Sequence, residues 1–277
     1  MGETRLLDLP GGTIAYDDSG ERSPAGQLVV CVPGMGDLRG VYRFLAPALA
    51  AAGHRVVTMD VRGHGGSSTG WGDHSAAAIG GDVLALVRHL DDGPAHLVGG
   101  SMAAAAAVWA AAEAPELVAG IVLLGPFVRD VAQHGLKRLL LPVGGYLLTL
   151  RAGLWARYYR GLYPGSPPAD LDGYVRALRA NLAEPGRLAA LRAMLRASKA
   201  PAEARLAEVR APALVVMGGA DPDFDDPAAE AELVAGRLGA QLVLVDGAGH
   251  YPQAERPDVT GPAVARFLAA HPARAHG

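Results

Sequence analysis

The sequence predicts an α/β fold: a mostly parallel central sheet flanked by helices, carrying a helical insertion. Three observations predict it. Short apolar runs bounded by turn residues alternate with longer stretches of helical periodicity, the pattern of βαβ units. Nearly all of these runs are apolar at successive positions instead of alternating, as strands must be when helices cover both faces. Between Leu124 and Ala213 the rhythm stops, Gly, Pro, Tyr and Arg become frequent, and helical stretches dominate. The chain has 277 residues, half of them apolar, enough for a sizeable core.

The elements follow in order. Arg5–Leu9 and Thr13–Tyr16 alternate in polarity and are separated by Pro10-Gly11-Gly12, so they read as a leading hairpin at the sheet edge. The remaining strands are expected at Leu28–Val32, Arg55–Asp60, Ala95–Val98, Ile121–Leu124, Ala213–Met217 and Gln241–Val245. Helices are expected at Val41–Ala52, Ser75–Leu90, Met102–Ala112, Pro227–Leu238 and Val259–Ala270. The fourth has the clearest boundaries, with Asp226 as N-cap, Pro227 at the first helical position and Gly239 at its end. Within the insertion, Leu171–Ala180 and Arg187–Ala197 have helical character.

Composition narrows the function classes. A formal net charge of −3 provides no global field toward nucleic acid or membrane. Cys31 is the only cysteine, which excludes an internal disulfide, and its setting in Leu28-Val29-Val30-Cys31-Val32 is that of an inert core thiol. Met1-Gly2-Glu3-Thr4-Arg5 has neither signal-peptide nor myristoylation character. The longest greasy stretch, Leu139–Leu150, is interrupted by Pro142, Gly144 and Gly145 and is too short to span a bilayer. The expectation is a cytoplasmic protein. The histidines outside the candidate site lack the short paired spacings of a zinc site, and no glycine-rich turn reads as a nucleotide loop, so no cofactor is expected.

The strongest chemical signal is Ala95-His96-Leu97-Val98-Gly99-Gly100-Ser101-Met102-Ala103. A strand enters a tight glycine-flanked turn, places a serine at its apex and continues into an alanine-rich helix, the form of a nucleophile elbow with Ala103 in the last small position. A serine alone is a poor nucleophile and needs a base. His250 lies in Val245-Asp246-Gly247-Ala248-Gly249-His250-Tyr251-Pro252, just past a strand. An acid should orient that imidazole, and Asp221 follows the strand ending at Met217. Asp223, Asp225 and Asp226 compete for that role, although Asp226 is better explained as a cap. Each residue alone has a bland explanation: Ser101 as a helix cap, His250 as a loop histidine, Asp221 as a turn former before Pro222. Their joint placement at three strand ends favours a catalytic triad. The tetrahedral oxyanion needs two backbone donors, expected at Met102 and at Met35 in the loop Pro33-Gly34-Met35-Gly36-Asp37. An ordinary Gly-rich turn is the alternative for that loop.

Asp60-Val61-Arg62-Gly63-His64-Gly65-Gly66-Ser67 resembles the D-x-R-G-H-G-x-S segment of the capped α/β-hydrolase superfamily. The elbow, the Asp221 loop and the Gly-Ala-Gly-His loop resemble the same group, so the likeness covers nearly the whole chain outside Leu124–Ala213. Relatives usually carry His-Gly where this chain has Pro33-Gly34. The resemblance implies an α/β-hydrolase core over residues 1–125 and 206–277 and a helical cap (lid) over 126–205. It implies a structural role for His64. With serine at the elbow, it sets the chain apart from the epoxide hydrolases and haloalkane dehalogenases of this fold, which use aspartate there. It further implies that Leu147, Trp155 and Tyr159 of the cap, with Gly34 and Tyr251, wall a substrate pocket, although packing of cap onto core is the ordinary role of such residues.

Charge is unevenly divided. Between Pro126 and Arg205, eleven Arg with Lys137 and Lys199 face five carboxylates, a net +8 that leaves −11 for the rest of the chain. Such asymmetry fits an anionic partner at the cap (a membrane surface, a carrier protein or a coenzyme A thioester) or simply solvated arginine faces. The sequence therefore reads as a cofactor-independent hydrolase of a carboxylic ester or thioester with an apolar portion, acting through an acyl-enzyme on Ser101. The alternatives are other chemistry on the same triad, such as C–C bond hydrolysis, perhydrolysis or a lyase step, and a non-catalytic ligand-binding member of the fold. Oligomeric state is not legible.

Overall fold

The computed structural model describes residues 3–130 and 144–273. Its strands are β1 (Thr4–Leu9), β2 (Gly12–Asp18), β3 (Leu28–Val32), β4 (Arg55–Met59), β5 (Ala95–Gly100), β6 (Val118–Leu124), β7 (Ala213–Gly218) and β8 (Gln241–Val245). They form one sheet in the order β1-β2-β4-β3-β5-β6-β7-β8. The β1–β2 and β2–β4 pairs are antiparallel, and every pair from β4 to β8 is parallel. The expected leading hairpin is therefore the sheet edge. Strand order reverses at β3, which lies between β4 and β5. Loops leaving the carboxyl ends of β3 and β5 diverge there, and that crevice is where open α/β sheets place their ligands.

Strands β3, β5 and β7 are buried along their whole length. Strand β8, with a neighbour on one side only, leaves Leu244 40% exposed. Two strands run further than their apolar cores suggest. β5 continues through Gly99 and Gly100, and β6 begins at Val118.

Helices α1 (Leu45–Ala51), α2 (Ala76–Leu90), α3 (Ala103–Glu113) and, after the insertion, two more pack on the sheet. The single helix expected over Val41–Ala52 is instead a 3-10 turn, Arg39–Tyr42, followed by α1. Pro47 explains the break: its ring would clash with the carbonyl of Arg43 in a continuous helix, but it is tolerated in the first turn of α1. Helix α3 is buried from Ala103 through Val108, and its small side chains let it approach β5, β6 and α2 closely.

Between β6 and β7 the described residues form α4 (Ala152–Gly161), α5 (Leu171–Leu182) and α6 (Arg187–Arg196), preceded by a helical stretch over 144–148 and followed by a one-turn helix, Ala200–Glu203, and a 3-10 turn. Pro185 and Gly186, the latter at φ +84°, separate α5 from α6. The buried faces of α4 and α5 join the same apolar cluster as Val29, Cys31 and Val98 of the sheet. The greasy stretch Leu139–Leu150 falls partly outside the described residues, as do His134 and Lys137. Among the described residues no helix is long and apolar enough to cross a membrane.

Helix α7 (Pro227–Leu238) and helix α8 (Pro257–Ala270) complete the core. Asp226 caps α7 through the Ala229 amide at 3.0 Å, and Gly239 ends it in the left-handed region at φ +61°. Asp226→Ala should lower unfolding free energy by about 1 kcal/mol, because one helix-end amide loses its acceptor. Denaturant titration checks this, and a midpoint identical to the parent protein would contradict it.

Candidate active site

Ser101 stands at the carboxyl end of β5, where the strand turns into α3. Its φ is +53°, and among the described residues only Asp91 shares a positive φ without being glycine. Such a conformation costs on the order of 1 kcal/mol and persists because its surroundings impose it. Here the Ser101 amide donates to the Leu124 carbonyl at 2.8 Å, and the Phe127 amide donates to the Ser101 carbonyl at 3.1 Å. The turn is tight enough that a Cβ on Gly99 would lie 2.5 Å from the Ala103 carbonyl oxygen. Strand and helix backbones touch at that point, so the strand side demands glycine while Ala103 fits on the helix side.

His250 and Asp221 leave the ends of β8 and β7, which adjoin in the sheet. Their loops are stitched together by Gly219 N–H to Val245 O and Ala220 N–H to Ala248 O, both at 2.9 Å. The imidazole Nδ1 lies 2.7 Å from Asp221 Oδ2, and both side chains are almost wholly buried. Asp223 is a second carboxylate on the same nitrogen at 3.9 Å, and it accepts the Tyr158 hydroxyl at 2.7 Å. The other Asp221 oxygen accepts the Asp223 amide at 3.0 Å. Of the four acids considered from the sequence, Asp221 makes this contact and Asp226 caps α7. Burial pushes the His250 pKa down, but the Asp221 and Asp223 carboxylates outweigh it and raise the pKa to about 9.

Phe127 links the two halves of the site. Its backbone holds Ser101, and its ring centroid lies 5.7 Å from that of His250.

The loop after β3 runs directly behind the serine. A Cβ on Gly34 would lie 2.7 Å from the Ser101 Cβ, so only glycine fits there. Among the described residues neither the Met35 amide nor the Met102 amide has a hydrogen-bond acceptor. Asp221, Asp223 and His250 also present ligand atoms within 4.8 Å of one another, a spacing that a metal ion could accept. The imidazole atom concerned already faces Asp221 at hydrogen-bond distance, so the geometry is that of an oriented imidazole.

Residues 27–257 match the family model for the alpha/beta hydrolase fold. The chain belongs to this family. A polyketide synthase of Burkholderia thailandensis, ThaQ, is 33% identical over 95% of the chain, which spans only 12% of that protein. The 2-(acetamidomethylene)succinate hydrolase of Mesorhizobium japonicum is 30% identical over 77% of this chain and 78% of its own. Among solved structures, a hydrolase from Pseudomonas aeruginosa superposes with a TM-score of 0.76 at 27% identity, covering 96% of this chain and 98% of that one.

In this alpha/beta hydrolase the Asp60–Ser67 segment is a folded brace. Asp60 accepts the Arg39 amide at 2.8 Å and the Gly66 amide at 2.9 Å, and it pairs with the Arg39 guanidinium. His64 is fully buried, with its pKa pushed down to about 4 by burial, which suits a neutral packing residue. The insertion grips this brace from above. Asn181 exchanges two hydrogen bonds with Gly65, and Arg187 donates to the Ser67 carbonyl.

The residues expected to wall a pocket have more particular placements. Leu147 is 49% exposed, and its neighbour Leu148 instead lines a groove of about 500 Å³ with Leu154, Tyr158 and Asp223. Trp155 is buried and donates its indole N–H to the Gly36 carbonyl at 2.8 Å. Tyr159 is buried against Asp37, and Tyr251 stands edge-on to His250 with ring centroids 5.0 Å apart. Part of the basic character of the insertion is neutralised locally, by Arg160–Asp172 and Arg187–Glu184.

Two buried acids escaped the reading of the sequence. Glu255 accepts the Gly249 amide at 2.6 Å and, with its other oxygen, the Gly165 and Ser166 amides at 3.0 and 2.9 Å. It ties the His250 loop to the insertion. Asp37 does the equivalent for the β3 loop. Neither carries a local motif, because their partners lie far away in sequence.

Proposed function

We propose that this alpha/beta hydrolase cleaves a carboxylic ester or thioester with an apolar portion through an acyl-enzyme on Ser101, with residues 126–205 forming a cap over a core of 1–125 and 206–277. The observation that carries the reading is one arrangement: a serine at φ +53° on the strand-to-helix turn, joined through Phe127 to a buried His250–Asp221 pair. A strained serine and an oriented imidazole, both at carboxyl ends of strands in one sheet, suit acyl transfer. The relative named as a 2-(acetamidomethylene)succinate hydrolase supports hydrolytic chemistry on this framework.

The chemistry follows from the groups. Ser101 Oγ attacks the carbonyl carbon as its proton passes to His250 Nε2. Asp221 holds the Nδ1–H and stabilises the imidazolium. The Met35 and Met102 amides receive the developing oxyanion, and one such donor contributes on the order of 100-fold in rate. Collapse expels the alcohol or thiol, which takes its proton from His250. Water then attacks the acyl-serine with His250 as base, releasing the carboxylic acid and restoring Ser101.

The raised His250 pKa gives this mechanism a pH signature. The base must be neutral, so kcat/KM should climb with pH through a midpoint above the ordinary 6.5, toward about 9. Asp223→Asn should move the midpoint down, because one of the carboxylates that favour the imidazolium is gone. The same shift makes folding favour the protonated form. Its contribution to stability is full below pH 6.5 and fades as pH rises through about 9. A rate profile with its acid limb centred at or below 6.5 would refute the electrostatic assignment.

Hydrolysis of p-nitrophenyl esters across a series of acyl lengths tests the function. The expected result is turnover with a chain-length optimum. A folded protein inert toward every ester would exclude a general esterase and direct the search to C–C bond substrates or a binding role.

A further inference from the structure

Asp37 is a fully buried carboxylate on the loop that passes behind Ser101. Its Oδ1 accepts the Leu38 amide at 2.8 Å and the Tyr174 hydroxyl at 2.5 Å, and both oxygens lie 3.1 Å from the Tyr159 hydroxyl. Tyr159 comes from α4 and Tyr174 from α5, so both phenols belong to the insertion. The rings pack into one aromatic group with Tyr251, whose centroid lies 5.0 Å from that of Tyr159. Two more contacts run from the insertion to this loop. Trp155 donates to the Gly36 carbonyl at 2.8 Å, and the Tyr174 hydroxyl also reaches the Leu38 carbonyl at 3.0 Å.

Among the described residues no Lys, Arg or His lies within ion-pair distance of Asp37. Burial raises its pKa to about 6, held back by the phenols and the Leu38 amide. A buried carboxylate without a cation is costly, and apolar side chains would fill such a space at lower cost. What the carboxylate supplies is a multi-point acceptor that anchors two insertion helices to the segment Met35–Leu38, one residue from Gly34, which is pressed against Ser101.

We propose that Asp37 is a positioning residue: by accepting the Tyr159 and Tyr174 phenols it fixes the Met35 amide relative to Ser101, so that docking of the insertion completes the oxyanion site. This rests on the reading of Ser101 as nucleophile and Met35 as donor. The carboxylate is fully buried. It acts through the loop, which predicts a loss in the chemical step with little loss in binding.

The test compares the wild type with Asp37→Asn and with the Tyr159→Phe/Tyr174→Phe double variant, which keeps the aromatic packing and removes only the two hydroxyls. Steady-state ester hydrolysis, the ratio of ester to thionoester turnover, and thermal midpoints are measured on each. A thionoester sulfur accepts hydrogen bonds weakly, so a working oxyanion site favours the ester. The expected result is a fall in kcat of roughly ten- to a hundredfold with KM held within about twofold. The ester-to-thionoester ratio should fall alongside it. If Asp37→Asn does not fold, the double variant decides alone. A wild-type kcat and ester preference in the double variant overturns the proposal, as does a loss expressed only in KM. Fluorophosphonate labelling of the wild type separates the two levels: labelled Ser101 with unaffected variants removes Asp37 alone, whereas an unlabelled wild type removes the nucleophile reading and this proposal with it.

Discussion

Ser101→Ala should abolish ester hydrolysis, lowering kcat by about 10⁴-fold or more, while the protein stays folded. The size follows from chemistry, since the variant has no atom to form the acyl-enzyme and retains only binding and the oxyanion donors. Stability should change little or rise slightly. The residue is held at φ +53°, a conformation that alanine tolerates no better than serine, and its Oγ makes no hydrogen bond that supports the fold among the described residues. Parallel measurement of turnover and thermal midpoint therefore separates a catalytic loss from a folding loss. Residual activity within tenfold of the wild type would mean that another group carries the reaction.

Asp221→Asn should cost nearly as much, about 10³- to 10⁴-fold in kcat, because an amide at 2.7 Å from Nδ1 can enforce the wrong tautomer and no longer stabilises the imidazolium. Asp223→Asn should cost far less. Its carboxylate stands 3.9 Å from the same nitrogen and is shared with Tyr158. Removing it leaves the Asp221 contact in place, so about tenfold or less is expected, together with the lowered pH midpoint. Kinetics of the two single variants and the double variant decide between these carboxylates. Equal losses in the singles would make the acid a shared pair rather than Asp221.

Much of the fold was legible because its signals are local. The run Leu28–Val32 is the observed β3 to the residue, and Asp226, Pro227 and Gly239 mark the observed ends of α7. Strand ends were less legible. Gly99 and Gly100 look like turn residues, yet both pair with β6 and complete β5, and at Gly99 the close approach of α3 leaves no room for a side chain. The split before α1 lay in a single proline whose effect depends on its offset from the helix start.

At the site, Asp221 and His250, expected as partners from their strand-end positions, are in contact, and Gly34, read as permitting close backbone approach, abuts Ser101. Strand ends in a parallel sheet converge, so position in sequence carries position in space. The insertion lacks such a frame. Trp155 and Tyr159, which the sequence reads either as pocket walls or as packing of cap onto core, hold Gly36 and Asp37, while Leu147 turns to solvent. Aromatic residues announce burial but not what they are buried against. The carboxylates of Asp37 and Glu255 were missed for a related reason: an acid bonded to amides and phenols from distant segments has no spacing to recognise.

The central claim is that Ser101 is an activated nucleophile. Its most direct test is covalent: the protein is treated with a fluorophosphonate at neutral and at alkaline pH, and the adduct is located by intact mass and peptide mapping. A single adduct is expected on Ser101, formed faster at the higher pH, slowed by a competing ester and absent from Ser101→Ala and His250→Ala. No adduct on the folded wild-type protein, or an adduct on another residue that survives Ser101→Ala, would contradict it.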